Sequence, residues 1–125
     1  MNAPKVLDIG GSLLLVATAA LHLSGYGELA RQLEPTPVPE FWRAAIKATW
    51  VFFSVELVIV AAAVAAQFVQ RGAANRAVLL VCMAMLIGTL LVMLVWLGLF
   101  VGTVAIAIAT LAIGTATALL IRAPV

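Results

Sequence analysis

Residues 40–69 read EFWRAAIKATWVFFSVELVIVAAAVAAQFV. Beyond Lys47 this stretch carries a single charge, Glu56, among residues that are otherwise apolar apart from Thr49, Ser54 and Gln67. Its 30 residues, at 1.5 Å of rise each, span about 45 Å as a helix, more than the ~30 Å hydrocarbon core of a bilayer. The stretch therefore predicts a transmembrane helix that tilts or projects a turn beyond the membrane. Pro39 and Glu40 suit its start, because proline loses nothing at a first helical position and an acid complements the helix N-terminus. Midway along such a helix, the Glu56 carboxylate costs several kcal/mol unless it is paired, hydrated or protonated. It is expected to face a bundle interior or a cavity and is a functional-site candidate by default.

Working outward, three further apolar runs are long enough to cross a bilayer, at about 6–25, 77–100 and 103–121. Of the 125 residues, 66% are hydrophobic and only 10% charged. A soluble domain is about half apolar and a quarter charged, so the excess marks lipid as the solvent. Four helices and short connections use up the chain. The fold class expected is an all-α integral membrane protein, an up-down bundle of four transmembrane helices forming one domain over residues 1–125.

Punctuation sets the boundaries. Gly25 and Gly27 end the first helix, as glycine commonly does. Ala17-Thr18-Ala19 imitates a signal-peptidase site, but Asp8 interrupts the start of the apolar run and Leu21, His22 and Leu23 continue past it. The segment is expected to stay as a signal-anchor helix. Asp8 reads as a carboxylate favouring that helix's N-terminus. Residues 28–39 form the one substantial loop, with Pro35, Pro37 and Pro39 biasing their predecessors to extended backbone; within it, Glu28 to Leu33 suits a short helix at the membrane surface. Gly102 is expected to mark the turn between the last two helices.

Lys5, Arg71, Arg76 and Arg122 fall on one side of this topology and Arg31 in the loop opposite. The bias places both termini in the cytoplasm of a multi-pass protein of the inner (plasma) membrane, with the Pro-rich loop outside. The net charge of +2 is helix-end bias and points to no nucleic-acid partner. One histidine and the lone Cys82 cannot assemble a bis-His haem or a zinc set, so no metal or cofactor is expected. Small residues four apart, Thr110-x3-Gly114-x3-Ala118 and Ala84-x3-Gly88, allow close helix approach, either inside this bundle or in a homo-oligomer.

Chemistry-bearing side chains concentrate toward the outer side. At 100° per residue, Arg43, Lys47, Trp50 and Ser54 share one stripe of the second helix, and Trp42, Thr49, Phe53 and Glu56 the adjoining one. His22, near the outer end of the first helix, is expected level with Arg43 to Lys47, out of direct reach of Glu56. Trp42, Trp50, Phe53, Trp96 and Tyr26 are candidates for holding an apolar body, against the competing reading of an interfacial aromatic belt. Arg43 and Lys47 either snorkel to headgroups or hold an anionic end.

These features favour a protein that binds or converts a hydrophobic, lipid-like small molecule by acid–base chemistry, such as isomerisation, cyclisation or epoxide opening, with Glu56 and His22 moving the proton. Two alternatives stand beside it. One is a proton-coupled transporter of small molecules. The other is a non-catalytic subunit or assembly factor, in which a partner membrane protein supplies the counter-charge to Glu56.

Overall fold

The computed structural model describes residues 3–69 and 75–122, apart from the side chains of Phe68, Val69 and Arg122. Arg71 and the Arg122 side chain, which the orientation argument uses, lie outside the described residues. Five helices follow one another: α1 (Ala3–Ser24), α2 (Tyr26–Leu33), α3 (Glu40–Val69), α4 (Arg76–Trp96) and α5 (Val101–Arg122). Four of them are long and apolar enough to cross a membrane. The chain is an all-α, multi-pass, four-helix membrane bundle. Its exterior is apolar, with Leu13, Phe52, Leu80, Val81 and Leu111 all exposed.

α1 packs closely on both α3 and α5, whereas α4 rests mainly on α5 and meets α3 over a shorter stretch. Lipid is as apolar as leucine, so such helices associate through close packing rather than the hydrophobic effect. Gly11 supplies the closest approach: a Cβ there would lie 2.6 Å from Cγ1 of Ile113 and 3.3 Å from the Ala109 carbonyl oxygen. Thr110 is buried and Gly114 faces Met83 of α4, so the first part of the α5 small-residue stripe packs inside the bundle, while Ala118 is exposed. Ala84 and Gly88 of α4 are exposed.

On α3 and, apart from Met93, on α4 the core lies in the half of the bundle nearest the termini, whereas on α5 burial continues to Thr103. Leu15 and Ala19 of α1 meet Leu57, Val60 and Val64 of α3, Leu79 and Leu86 of α4, and Ile106 and Ile113 of α5. No residue of α3 before Ser54 is buried. The bundle is thus closed below Ser54 and opens toward its α2 end.

α2 takes up Tyr26 to Leu33, extending the surface helix expected from Glu28, and it packs against α3 and the end of α1. Glu28 is bonded by Arg31 and by Gln32 on its exposed side. After the Pro-rich segment, α3 runs from Glu40 as expected. Asn75 caps α4, its side-chain oxygen accepting from the N–H groups of Ala77 and Val78.

Two expectations are corrected here. The last turn lies at Gly98, not Gly102, and α4 ends at Trp96 instead of Phe100. Gly98 takes φ +73°, and the N–H groups of Leu97 and Gly98 both bond the Met93 carbonyl. This is a left-handed C-terminal cap, which glycine adopts without steric cost. Gly102 sits inside α5 under the Phe100 ring, where a Cβ would meet Cε2 at 2.7 Å.

The second correction is Asp8. Because α1 starts at Ala3, Asp8 lies beyond the first turn, outside the reach of the helix-terminus field. It is fully buried, and neither carboxylate oxygen has a hydrogen-bond partner among the described residues. Given Gly11 on Ile113, Asp8 is level with Ala116 and Thr117 of the antiparallel α5. The Ser12 and Thr117 hydroxyls are orphaned in the same way.

Three changes test this packing by thermal unfolding in detergent. Gly11→Ala is expected to destabilise by about 1–3 kcal/mol through overpacking. Gly10→Ala, where a Cβ meets nothing within 4 Å, is expected to hold or gain up to ~1 kcal/mol from helix propensity. Asp8→Asn, which removes the charge at constant shape, is expected to stabilise the bundle by about 1 kcal/mol or more, since an unpaired buried charge costs more than an unpaired neutral amide. A lower midpoint for Asp8→Asn would mean that the carboxylate has a partner.

Candidate functional site

The site is built where α3 outruns α1. The α2 turn and the Pro-rich segment carry the chain outward before it returns, so the first turns of α3 stand beyond the end of α1. His22 consequently meets α3 about two turns deeper than expected, a correction to the predicted register. Its Nδ1 lies 3.0 Å from the Ser54 hydroxyl. The imidazole stacks on the Trp50 indole with ring centroids 4.1 Å apart, and Phe53 tilts against it at 4.8 Å. The Trp50 N–H donates to the His22 carbonyl at 2.9 Å. That carbonyl, in the last turn of α1, also accepts from the Gly25 N–H at 3.1 Å.

Ser54 and Glu56 are two residues apart and so point about 200° apart around α3. Ser54 turns to α1, and Glu56 turns to α4, where the Thr89 hydroxyl donates to its Oε1 at 3.1 Å. No hydrogen bond from a described residue reaches Oε2, and Glu56 has no ion pair among the described residues. The carboxylate is half-buried.

Between α3 and α4 these residues surround a cavity of about 1000 Å³. Trp42, Thr49, Phe53 and Glu56, the second stripe read from the sequence, all line it, as do Trp50 and His22. α4 and the following turn contribute Thr89, Val92, Met93, Leu97 and Phe100. Glu56 and Thr89 mark the end nearest the core. Trp42 lies 14 residues earlier on α3, about 21 Å further along the axis. Trp42, Val92 and Leu97 are strongly exposed, so the cavity opens on the apolar flank of the bundle. Its size is that of a site for a small organic ligand, and its walls are apolar apart from a few convergent polar groups.

The remaining sequence candidates stand elsewhere. The Arg43 guanidinium reaches the Thr36 and Val38 carbonyls at 3.3 Å each and Glu40 at 3.4 Å. It clamps the Pro-rich segment onto α3. Lys47 is half-buried and lines no part of the cavity. Trp96, at the end of α4, is 80% exposed and points away from it. Tyr26 opens α2, also outside the cavity. Sequence reasoning missed Thr89, Met93, Leu97 and Phe100. Thr89 alone carried a signal, as the one hydroxyl in an otherwise apolar helix.

Chemically, the arrangement offers a carboxylate with one oxygen committed and one free, and an imidazole whose orientation is fixed by a stack and a hydrogen bond. The two share a cavity without touching each other. Among the described residues no group of three or more metal-ligating side chains exists. No protein-family model, curated protein or solved structure matches the chain.

The Trp50 contacts predict a graded loss of stability in denaturant titrations. Trp50→Phe keeps a ring against His22 but removes one hydrogen bond, at about 0.5–1.5 kcal/mol. Trp50→Leu also removes the aromatic pair, adding about 0.5–1.5 kcal/mol.

Proposed function

We propose that this protein binds a largely apolar, membrane-dissolved small molecule in the cavity between α3 and α4, with Glu56 and His22 as its proton-handling groups. The observation that carries the reading is the cavity itself. It holds about 1000 Å³ and is walled by Trp42, Trp50 and Phe53, with Glu56 and His22 within it. An opening on the apolar flank suits a ligand that arrives through lipid, not through water. In a site with so little polar lining, a placed carboxylate and imidazole suffice for acid–base steps such as isomerisation or ring opening. Binding is the part of this reading that the geometry supports most directly, and conversion is its extension.

On this reading the protein lies in the inner (plasma) membrane with both termini cytoplasmic, and the cavity opens toward the outer leaflet. Thr89 gives Glu56 an internal hydrogen-bond partner, which favours a self-contained site over a subunit whose glutamate awaits a partner's cation.

A neutral aliphatic diazirine, photolysed with the protein in nanodiscs and mapped by tandem mass spectrometry, tests this proposal. Labelling is expected to concentrate on Phe53, Val92 and Met93. It should fall at least severalfold in Met93→Trp, which fills the cavity. Labelling spread evenly over exterior residues such as Leu13, Leu80 and Leu111 would sink the reading.

A further inference from the structure

The charges around the cavity decide which class of ligand it takes. Among the described lining residues Glu56 is the only Asp, Glu, Lys or Arg side chain, and His22, the other titratable group, is held by Ser54 on the α1 side. Arg43 is occupied by two loop carbonyls and Glu40. Lys47 lies on α3 outside the lining, as do Lys5, Arg31 and Arg76 elsewhere in the bundle. An anionic head would therefore meet a carboxylate in an apolar cavity with no lysine or arginine among its described lining residues, an arrangement in which like charges repel strongly. The sequence expectation that Arg43 or Lys47 holds an anionic end finds no support in this geometry.

From this electrostatic asymmetry we infer that the ligand is a lipophilic cation, an ammonium group carrying a hydrocarbon body. The inference rests on the binding function proposed above. Oε1 of Glu56 is held by Thr89, and Oε2 is left to accept from a ligand donor. A charge-assisted hydrogen bond of this kind is stronger than a neutral one, and more so where water is sparse. The aromatic walls add to it. Trp42, Trp50 and Phe53 line the same cavity, and an ammonium over an indole or phenyl face gains further attraction. The ligand's charge would also supply the counter-ion that Glu56 lacks among the described residues. The hydrocarbon body then runs from Glu56 along Phe53, Val92 and Met93 toward the exposed rim.

The test compares 12-bromododecylamine, 12-bromododecanol and 12-bromododecanoic acid, whose bromine quenches tryptophan fluorescence. The protein is the full chain with Trp42→Phe and Trp96→Phe, leaving Trp50 as the reporter, in nanodiscs of zwitterionic lipid. Concentrations are expressed per lipid to remove differences in partitioning. The amine is expected to half-saturate at a concentration at least tenfold below the alcohol, and the acid to be weakest. Glu56→Gln is expected to bring the amine within about twofold of the alcohol, while Glu56→Asp keeps most of the preference. Thr49→Lys, which adds a cation to the lining without touching Glu56, is expected to weaken the amine and strengthen the acid; it serves if Glu56→Gln does not fold.

Saturable quenching by the alcohol with no preference for the amine would overturn the cationic ligand and leave the binding function standing. So would an amine preference that survives Glu56→Gln. Absence of saturable quenching by all three probes would overturn both.

Discussion

The register of α3 against α1 is set where Trp50 closes over the end of α1. Its indole donates to the His22 carbonyl, its face covers the His22 ring, and its edge lies 3.2 Å from where a Gly25 Cβ would stand. Ser54, one turn further along α3, then meets Nδ1 of the same ring. These contacts fix the axial position of α3, and with it the depth of Glu56. Slide α3 by one turn and Glu56 no longer faces Thr89, Phe53 leaves the His22 ring, and the cavity loses its polar end. A polar lock is the natural device here. Between apolar helices in lipid, side-chain hydrogen bonds and close packing carry specificity that the hydrophobic effect cannot.

At the other end, the constraint is closeness rather than polarity. Gly11 lets α1 approach α5 so far that Ile113 fills the space a side chain would take. α1 is thereby committed on two sides, to α5 and α3. α4 receives what contact remains, chiefly through Leu79, Cys82 and Leu86 on the closed half. Beyond Leu86 only Met93 of α4 is buried. The cavity is therefore a consequence of unequal packing around the ring: one tight pair of interfaces at α1, and one interface, between α3 and α4, that closes only over part of its length. A bundle with a looser α1–α5 contact would share its packing more evenly and have less room to leave open.

The sequence is most legible where hydropathy alone decides, and least where a neighbour decides. Residues 40–69 marked the start of α3, because Pro39-Glu40 is a local signal. The stripe Trp42, Thr49, Phe53 and Glu56 was also readable, since 100° per residue needs no tertiary information. The end of α4 was hidden because Leu97, Leu99 and Phe100 are as apolar as the helix before them, and only Gly98 announces the cap. The His22 register was out of reach because it depends on how far α2 and the Pro-rich segment carry α3 outward. The α4 wall of the site was illegible because that helix is apolar on every face, so nothing marked which side meets α3. The partners of Arg43 were out of reach for a related reason: a cation near a helix end suggests headgroups or ligand, while its carbonyl partners at Thr36 and Val38 appear only once the segment folds back.

The two carboxylates within the apolar runs, Asp8 and Glu56, show why burial and chemistry have to be separated. Asp8 is the more deeply enclosed, yet it sits in the tight half, level with Ala116 and Thr117, where Gly11 brings α1 close against α5. Glu56 is only half-buried, and that is the condition for a working group: one oxygen is positioned by Thr89, the other is open to a space that another molecule can enter. In lipid, the cost of placing a carboxylate on a helix is similar at both sites. What differs is whether something can arrive to offset it. At Asp8 the packing forbids this, and at Glu56 the gap between α3 and α4 allows it, which is why the functional reading follows the cavity and not the degree of burial.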